Sequence, residues 1–93
     1  MNTIEKLNLI DGEFSHEEAK EILMNIFSTK IHFHKMRNFS SQERFGREDE
    51  TAIRRIHALE IEIEKVIKVV SEANTLNKKL VITSEINISL ADE

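Results

Sequence analysis

Residues 51–77, TAIRRIHALEIEIEKVIKVVSEANTLN, decide the fold. Their apolar positions Ala52, Ile56, Leu59, Ile63, Val66, Val70 and Ala73 follow one another at alternating steps of four and three. That average period of about 3.5 residues is the a/d seam of a helix that packs along another helix. Charged and polar residues fill most other positions, and neither Gly nor Pro interrupts the run. Ile53 and Ile67 widen the apolar face beyond what one neighbouring helix covers. The spacing therefore predicts a long amphipathic helix over 51–77 that needs a partner along its length.

The other helix signal lies upstream, in FSHEEAKEIL. Ser15 followed three residues later by Glu18 is a capping box, and Glu17, Glu18 and Glu21 set negative charge at the positive end of the helix dipole. Ala19, Ile22, Leu23, Ile26, Phe27 and Ile31 continue at threes and fours, so a helix is expected over 16–37. Residues 39–49, FSSQERFGRED, contain turn formers and one of two glycines; they read as the connecting loop, with Asp49 capping the next helix.

The termini read as strands. In LVITSEINISL, residues 80–90, Leu80, Ile82, Ile86, Ile88 and Leu90 share one parity, broken by Ser84, and polar residues hold the other. Residues 4–10 are a weaker candidate, ended by the turn signal Asp11-Gly12. The expected fold is thus one domain over 1–93, mainly α with short terminal strands in the order β-α-α-β. Its helices form an antiparallel hairpin, which brings the two strands to one end where they can pair. A two-stranded ribbon is marginal alone, and the apolar surface exceeds its cover. The hairpin is therefore expected to form a homodimer, closing a coiled-coil-like four-helix bundle. The interface residues are Ile56, Leu59, Ile63, Val66 and Val70 on the seam, with Ile82, Ile86 and Ile88 on the strand.

Composition bounds the function. The chain has 93 residues, a formal charge of −4 and no cysteine, which removes disulfides, thiolate metal sites and cysteine nucleophiles. No apolar run reaches the ~20 residues of a membrane span, and MNTIEKLNLIDGEF lacks a secretory h-region, so a cytoplasmic protein is expected without a membrane partner. His32 and His34 diverge by roughly 200° on a helix, and no third ligand is placed beside them. Glu13-Phe14-Ser15-His16 has the Glu-x-x-His spacing but straddles a helix cap. Neither a phosphate loop nor a nucleophile elbow is present. The acidic rows suit solvated helix faces, with Glu64–Lys68 and Glu50–Arg54 as i,i+4 pairs. No cofactor, metal or catalytic residue is assigned.

One asymmetry remains. Between 30 and 47 stand Lys30, Lys35, Arg37, Arg44 and Arg47 against one acid, Glu43, with Phe33, Phe39 and Phe45 among them. Arg37, Arg44 and Arg47 could contact phosphates or nucleic acid at the interhelical tip. Otherwise Phe39 and Phe45 plug the bundle end while the arginines pair with Glu43, Glu48, Asp49 and Glu50. The chain reads first as an interaction or oligomerisation protein, with a homodimer or another protein as partner. The alternative is a nucleic-acid-associated regulator that uses the basic tip.

Overall fold

Two long helices stand between two strands: β1 (Thr3–Phe14), α1 (His16–Phe45), α2 (Glu50–Leu76) and β2 (Leu80–Ser89), in a computed structural model that describes residues 3–92. Helix α1 begins where the capping box places it. The Ser15 hydroxyl accepts from the Glu18 N–H at 3.1 Å, and the Ser15 N–H donates to the Glu18 carboxylate at 3.0 Å. The bond from the Ser15 N–H favours ionised Glu18, and this N–H, then the nearby Ser15 hydroxyl, hold that carboxyl below its ordinary value of 4.5.

The far end of α1 departs from expectation. The helix runs to Phe45 instead of stopping at 37, so the connection expected over 39–49 shrinks to residues 46–49. Nothing in 38–45 breaks a helix; Ser40 and Ser41 only lower its propensity. The stop is Gly46, in the left-handed region at φ 66°, whose N–H donates to the Gln42 carbonyl. Asp49 then caps α2, accepting from the Ala52 N–H at 3.0 Å. The turn is tied back to α1 twice. The Asp49 N–H donates to the Asn38 side chain at 2.8 Å, and the Ser41 hydroxyl donates to the Arg47 carbonyl at 2.9 Å. At the other end Asn77, also left-handed at φ 55°, closes α2 with its N–H directed to Ala73 and Asn74.

The helices pack antiparallel through the seam. Ala52, Leu59, Val70 and Ala73 are buried and Ile56, Ile63 and Val66 half-buried, so every seam position faces inward. From α1, Ala19 is fully buried, and Ile22, Leu23, Ile26, Phe27 and Ile31 are half-buried.

β1 and β2 pair antiparallel, Phe14 opposite Leu80 and Leu7 opposite Ile86. Two corrections concern β1. It extends to Phe14 rather than ending at 10, and Asp11-Gly12 lies inside it, opposite Thr83 and Ile82. A local turn preference gives way here to a continuous ladder of backbone hydrogen bonds. The Phe14 ring lies over Gly12, 3.4 Å from where a Cβ would stand. The register shifts between Asn8 and Ile10, which face Glu85 and Ser84, so Leu9 is a bulge residue. The bulge returns Leu7 to the face of Ile10, which plain alternation would not.

The ribbon is covered only near its base. Ile10 is buried and Phe14, Leu80, Ile82 and Ser84 half-buried, whereas Leu7, Ile86 and Ile88 are exposed. The molecule is a plate of 50 × 32 × 15 Å. Its radius of gyration, 16.6 Å, exceeds the about 12 Å expected for a compact chain of this length.

Candidate interaction surfaces

At 100° per residue, the helix faces can be read from the burial pattern. The inward line of α2 passes through Ala52, Leu59, Ile63 and Val70, and that of α1 through Leu23, Phe27, Ile31, His34, Asn38 and Ser41. Two broad sides of the hairpin flank these lines. On one side, Leu23, Val66 and Val69 line an open groove of which Leu80, Val81 and Ile82 of β2 form one wall. On the other, the groove between the helices is lined by His16, Lys20, Ile67, Val70, Ser71 and Asn74, with no strand residue among them.

The eight residues assigned to an oligomer interface are thus distributed unevenly. Leu59 and Val70 are buried inside their own hairpin, while Ile56, Ile63 and Val66 line it half-covered. Ile82 is half-buried against the strand-side groove; Ile86 and Ile88 remain 39% and 44% exposed. Outside the seam the helices leave Ile53, Ile61, Ile67, Val69 and Leu76 exposed.

The basic tip is organised differently from its expected form. Arg37 and Arg44, with Lys30, fall seven residues apart on one stripe of α1. The Arg37 guanidinium lies 5.7 Å from the centre of the Phe33 ring, a cation–π approach. Arg47 sits apart from them in the turn, beside Phe45, Glu48, Asp49 and Glu50 in an open groove. Phe39 and Phe45 do not plug the bundle end: they are 55% and 68% exposed. No ion pair ties the arginines to the neighbouring acids among the described residues, whose side-chain pairs are Lys65–Glu62 at 3.3 Å and His16–Glu17 at 3.7 Å. The first replaces the expected Glu64–Lys68 and Glu50–Arg54 pairs.

His32 points outward, while His34 lies half-buried with its ring edge-on to Phe33 at 5.2 Å. Among the described residues, no three His, Asp or Glu side chains gather as a metal site requires, and no helix is long and apolar enough to cross a membrane.

The sequence reading missed the outward row Phe33, Met36 and Phe39, each more than half exposed. The signal was present in the polar residues: from Ile31, the positions His34, Asn38 and Ser41 continue the three-four rhythm of the inward line. Beyond residue 33 the inward face of α1 is polar, and the apolar side chains are turned to solvent. Compared with protein-family models, with curated proteins and with solved structures, the chain gives no significant match.

Proposed function

We propose that this chain is a small non-enzymatic interaction protein, a helical hairpin that assembles with a second copy of itself into a four-helix bundle and acts in the cytoplasm. One observation carries the reading: the chain exposes 7699 Å², whereas a compact monomer of 10.8 kDa exposes about 5,500 Å². The excess, about 2,000 Å², is the per-chain area that obligate dimers hide. The burial pattern agrees, because among the described residues no large side chain is fully buried. Half-covered Ile56, Ile63 and Val66 are what a seam looks like when two of four helices are in place. Exposed Ile86 and Ile88 would extend the contact at the end of the ribbon. Sedimentation equilibrium of the full chain at micromolar concentration tests the proposal. A species of twice 10.8 kDa supports it, and a monomer throughout refutes it.

A second reading has its own observation. Lys30, Arg37 and Arg44 share a stripe of α1 with Phe33, and the helical geometry puts Arg55 of α2 on the same side of the hairpin. Cations around an aromatic face suit a nucleic-acid backbone and an unstacked base. Binding to single-stranded RNA that weakens steeply as salt rises would favour this reading; salt-independent self-association favours the first.

A further inference from the structure

We infer that two copies join through the free edge of β2, which pairs antiparallel with β2 of the second copy about a two-fold axis at Ser84, so that the two ribbons become one four-stranded sheet. This inference rests on the dimer proposed above and specifies how its strands meet. A two-stranded ribbon leaves a row of unpaired backbone N–H and C=O groups along each outer edge. The two edges are not equivalent. β1 carries the devices that blunt an edge: two bulges, at Ile4 and Leu9, and four charged residues, Glu5, Lys6, Asp11 and Glu13. β2 alternates unbroken over Leu80–Ser89 and carries one charge, Glu85. The β2 edge also has room for another strand. The open groove beside it is lined by residues 80–83, of both parities, and by Leu23, Val66 and Val69 of the helices; no described residue of β1 is among them. It therefore runs along the unpaired edge, where an extended segment finds backbone on one side and apolar side chains on the other. Glu62 and Lys65, which share this groove, are paired with each other at 3.3 Å.

The occupant is a second β2 because the strand complements itself. Its aliphatic row is covered in one half and bare in the other: Leu80 and Ile82 are half-buried, whereas Ile86 and Ile88 are exposed. An antiparallel two-fold exchanges these halves. The midpoint of Leu80–Ser89 falls between Ser84 and Glu85, so three registers give near-complete overlap. An axis between the two residues sets the aliphatic row of one chain level with the polar row of the other on each face. An axis at Glu85 places that carboxylate opposite its own copy. An axis at Ser84 does neither. Ser84 then faces Ser84 of the second copy, and Ile82 faces Ile86 and Leu80 faces Ile88, the last two pairs occurring twice. The bare isoleucines of each chain are laid beside the covered base of the other strand, on the side of Val66 and Val69. Ser84, the one gap in the aliphatic row, stands where two hydroxyls can hydrogen-bond across the axis.

The chain has no cysteine, so single substitutions report the register. At the axis, opposed Cα atoms stand about 4.5–5.5 Å apart, within the span of a disulfide. Ser84→Cys should therefore oxidise to a cross-linked dimer at least about tenfold faster than Asn87→Cys, whose two copies lie six residues, about 20 Å, apart along the sheet. Both variants should keep the helical circular dichroism of the unmodified chain. Amide hydrogen exchange of the unmodified chain is the second readout. Consecutive amides over 81–87 should be protected in the dimer, whereas a strand paired on one edge protects only alternate ones. A dimer in sedimentation equilibrium with equal oxidation rates and alternate protection overturns the edge pairing and leaves the dimer standing. Consecutive protection with equal oxidation rates overturns the axis at Ser84. A monomeric unmodified chain, expected if the groove instead takes an unrelated extended peptide, removes the dimer and this pairing together.

Discussion

Ile61→Asp and Ile63→Asp form a matched pair of perturbations two residues apart on α2. Ile63 is half-buried on the seam between Leu59 and Val66, whereas Ile61, roughly 200° around the helix, is 43% exposed. Both variants add one negative charge and share the lower helix propensity of Asp, about 0.5 kcal/mol. Each new carboxylate meets one glutamate three residues away, Glu64 or Glu60, and the carboxylate at position 61 also gains Lys65 at i+4, a difference of at most about 0.5 kcal/mol. What separates the variants is desolvation. A carboxylate at position 63 is placed among apolar side chains with no cation beside it, which costs about 2–4 kcal/mol. A two-state chain of this length has about 5–14 kcal/mol in all, so the loss is a large share. At about 4–8 °C per kcal/mol, Ile63→Asp should melt about 10–30 °C below the unmodified chain, and Ile61→Asp within a few degrees of it. Thermal denaturation followed by circular dichroism at two protein concentrations reads this directly and separates fold from assembly. Equal melting temperatures for the two variants would refute the seam as the inward line of α2.

Ser15→Ala should lower stability by about 0.5–2 kcal/mol through loss of the α1 cap; no change in a urea titration would remove the capping box from the energetics. The depressed Glu18 carboxyl gives a pH dependence of definite sign: its contribution is present above the ordinary value of 4.5 and disappears as pH falls through the lower folded-state value. Melting curves of the unmodified chain and Glu18→Gln should therefore differ at neutral pH and converge in acid, and parallel curves would argue against the linkage. Gly46→Val forces a β-branched residue into the left-handed region and should cost about 1–2 kcal/mol or more, whereas a neutral effect would mean that the turn relaxes. Replacing Arg37, Arg44 and Arg47 together by Gln should leave the helical signal intact while removing any RNA binding, and RNA binding that survives the triple variant would exclude the basic tip as its site.

What was legible in the sequence was whatever local chemistry and periodicity jointly specify. Ser15 and Glu18 satisfy each other within four residues, so the start of α1 needs no tertiary information. The seam of α2 repeats over six steps, and each repeat strengthens the same face. The end of α1 was not legible from hydrophobicity, because its polar inward residues have work that only the folded turn reveals: Asn38 receives the Asp49 N–H, and Ser41 donates to Arg47. A pattern that weights apolar residues alone finds Phe33, Met36 and Phe39 and loses the helix. Asp11-Gly12 failed for a related reason. The turn preference is local, whereas the ladder that overrides it comes from residues 81–83, some seventy positions away.

The reversal of α1 at residue 33 divides the hairpin into two halves with different capacities for assembly. Near the strands, α1 offers Met24, Phe27 and Ile31 toward α2 and toward the strand-free side, and a second hairpin can continue that core. Near the turn, its inward line carries His34, Asn38 and Ser41, with the latter two tied by hydrogen bonds to the turn. A bundle core cannot extend there without stranding those polar groups. The apolar contact of a dimer should therefore concentrate on the strand-proximal part of the helices. Phe33, Met36 and Phe39 remain outward on the helix that carries Lys30, Arg37 and Arg44, with Arg37 against the Phe33 ring. A dimer would then present two copies of this basic, aromatic surface, one from each chain. Self-association along the apolar seam and contact with an anionic partner through the exposed cations are consequently compatible, and the first would make the second bivalent.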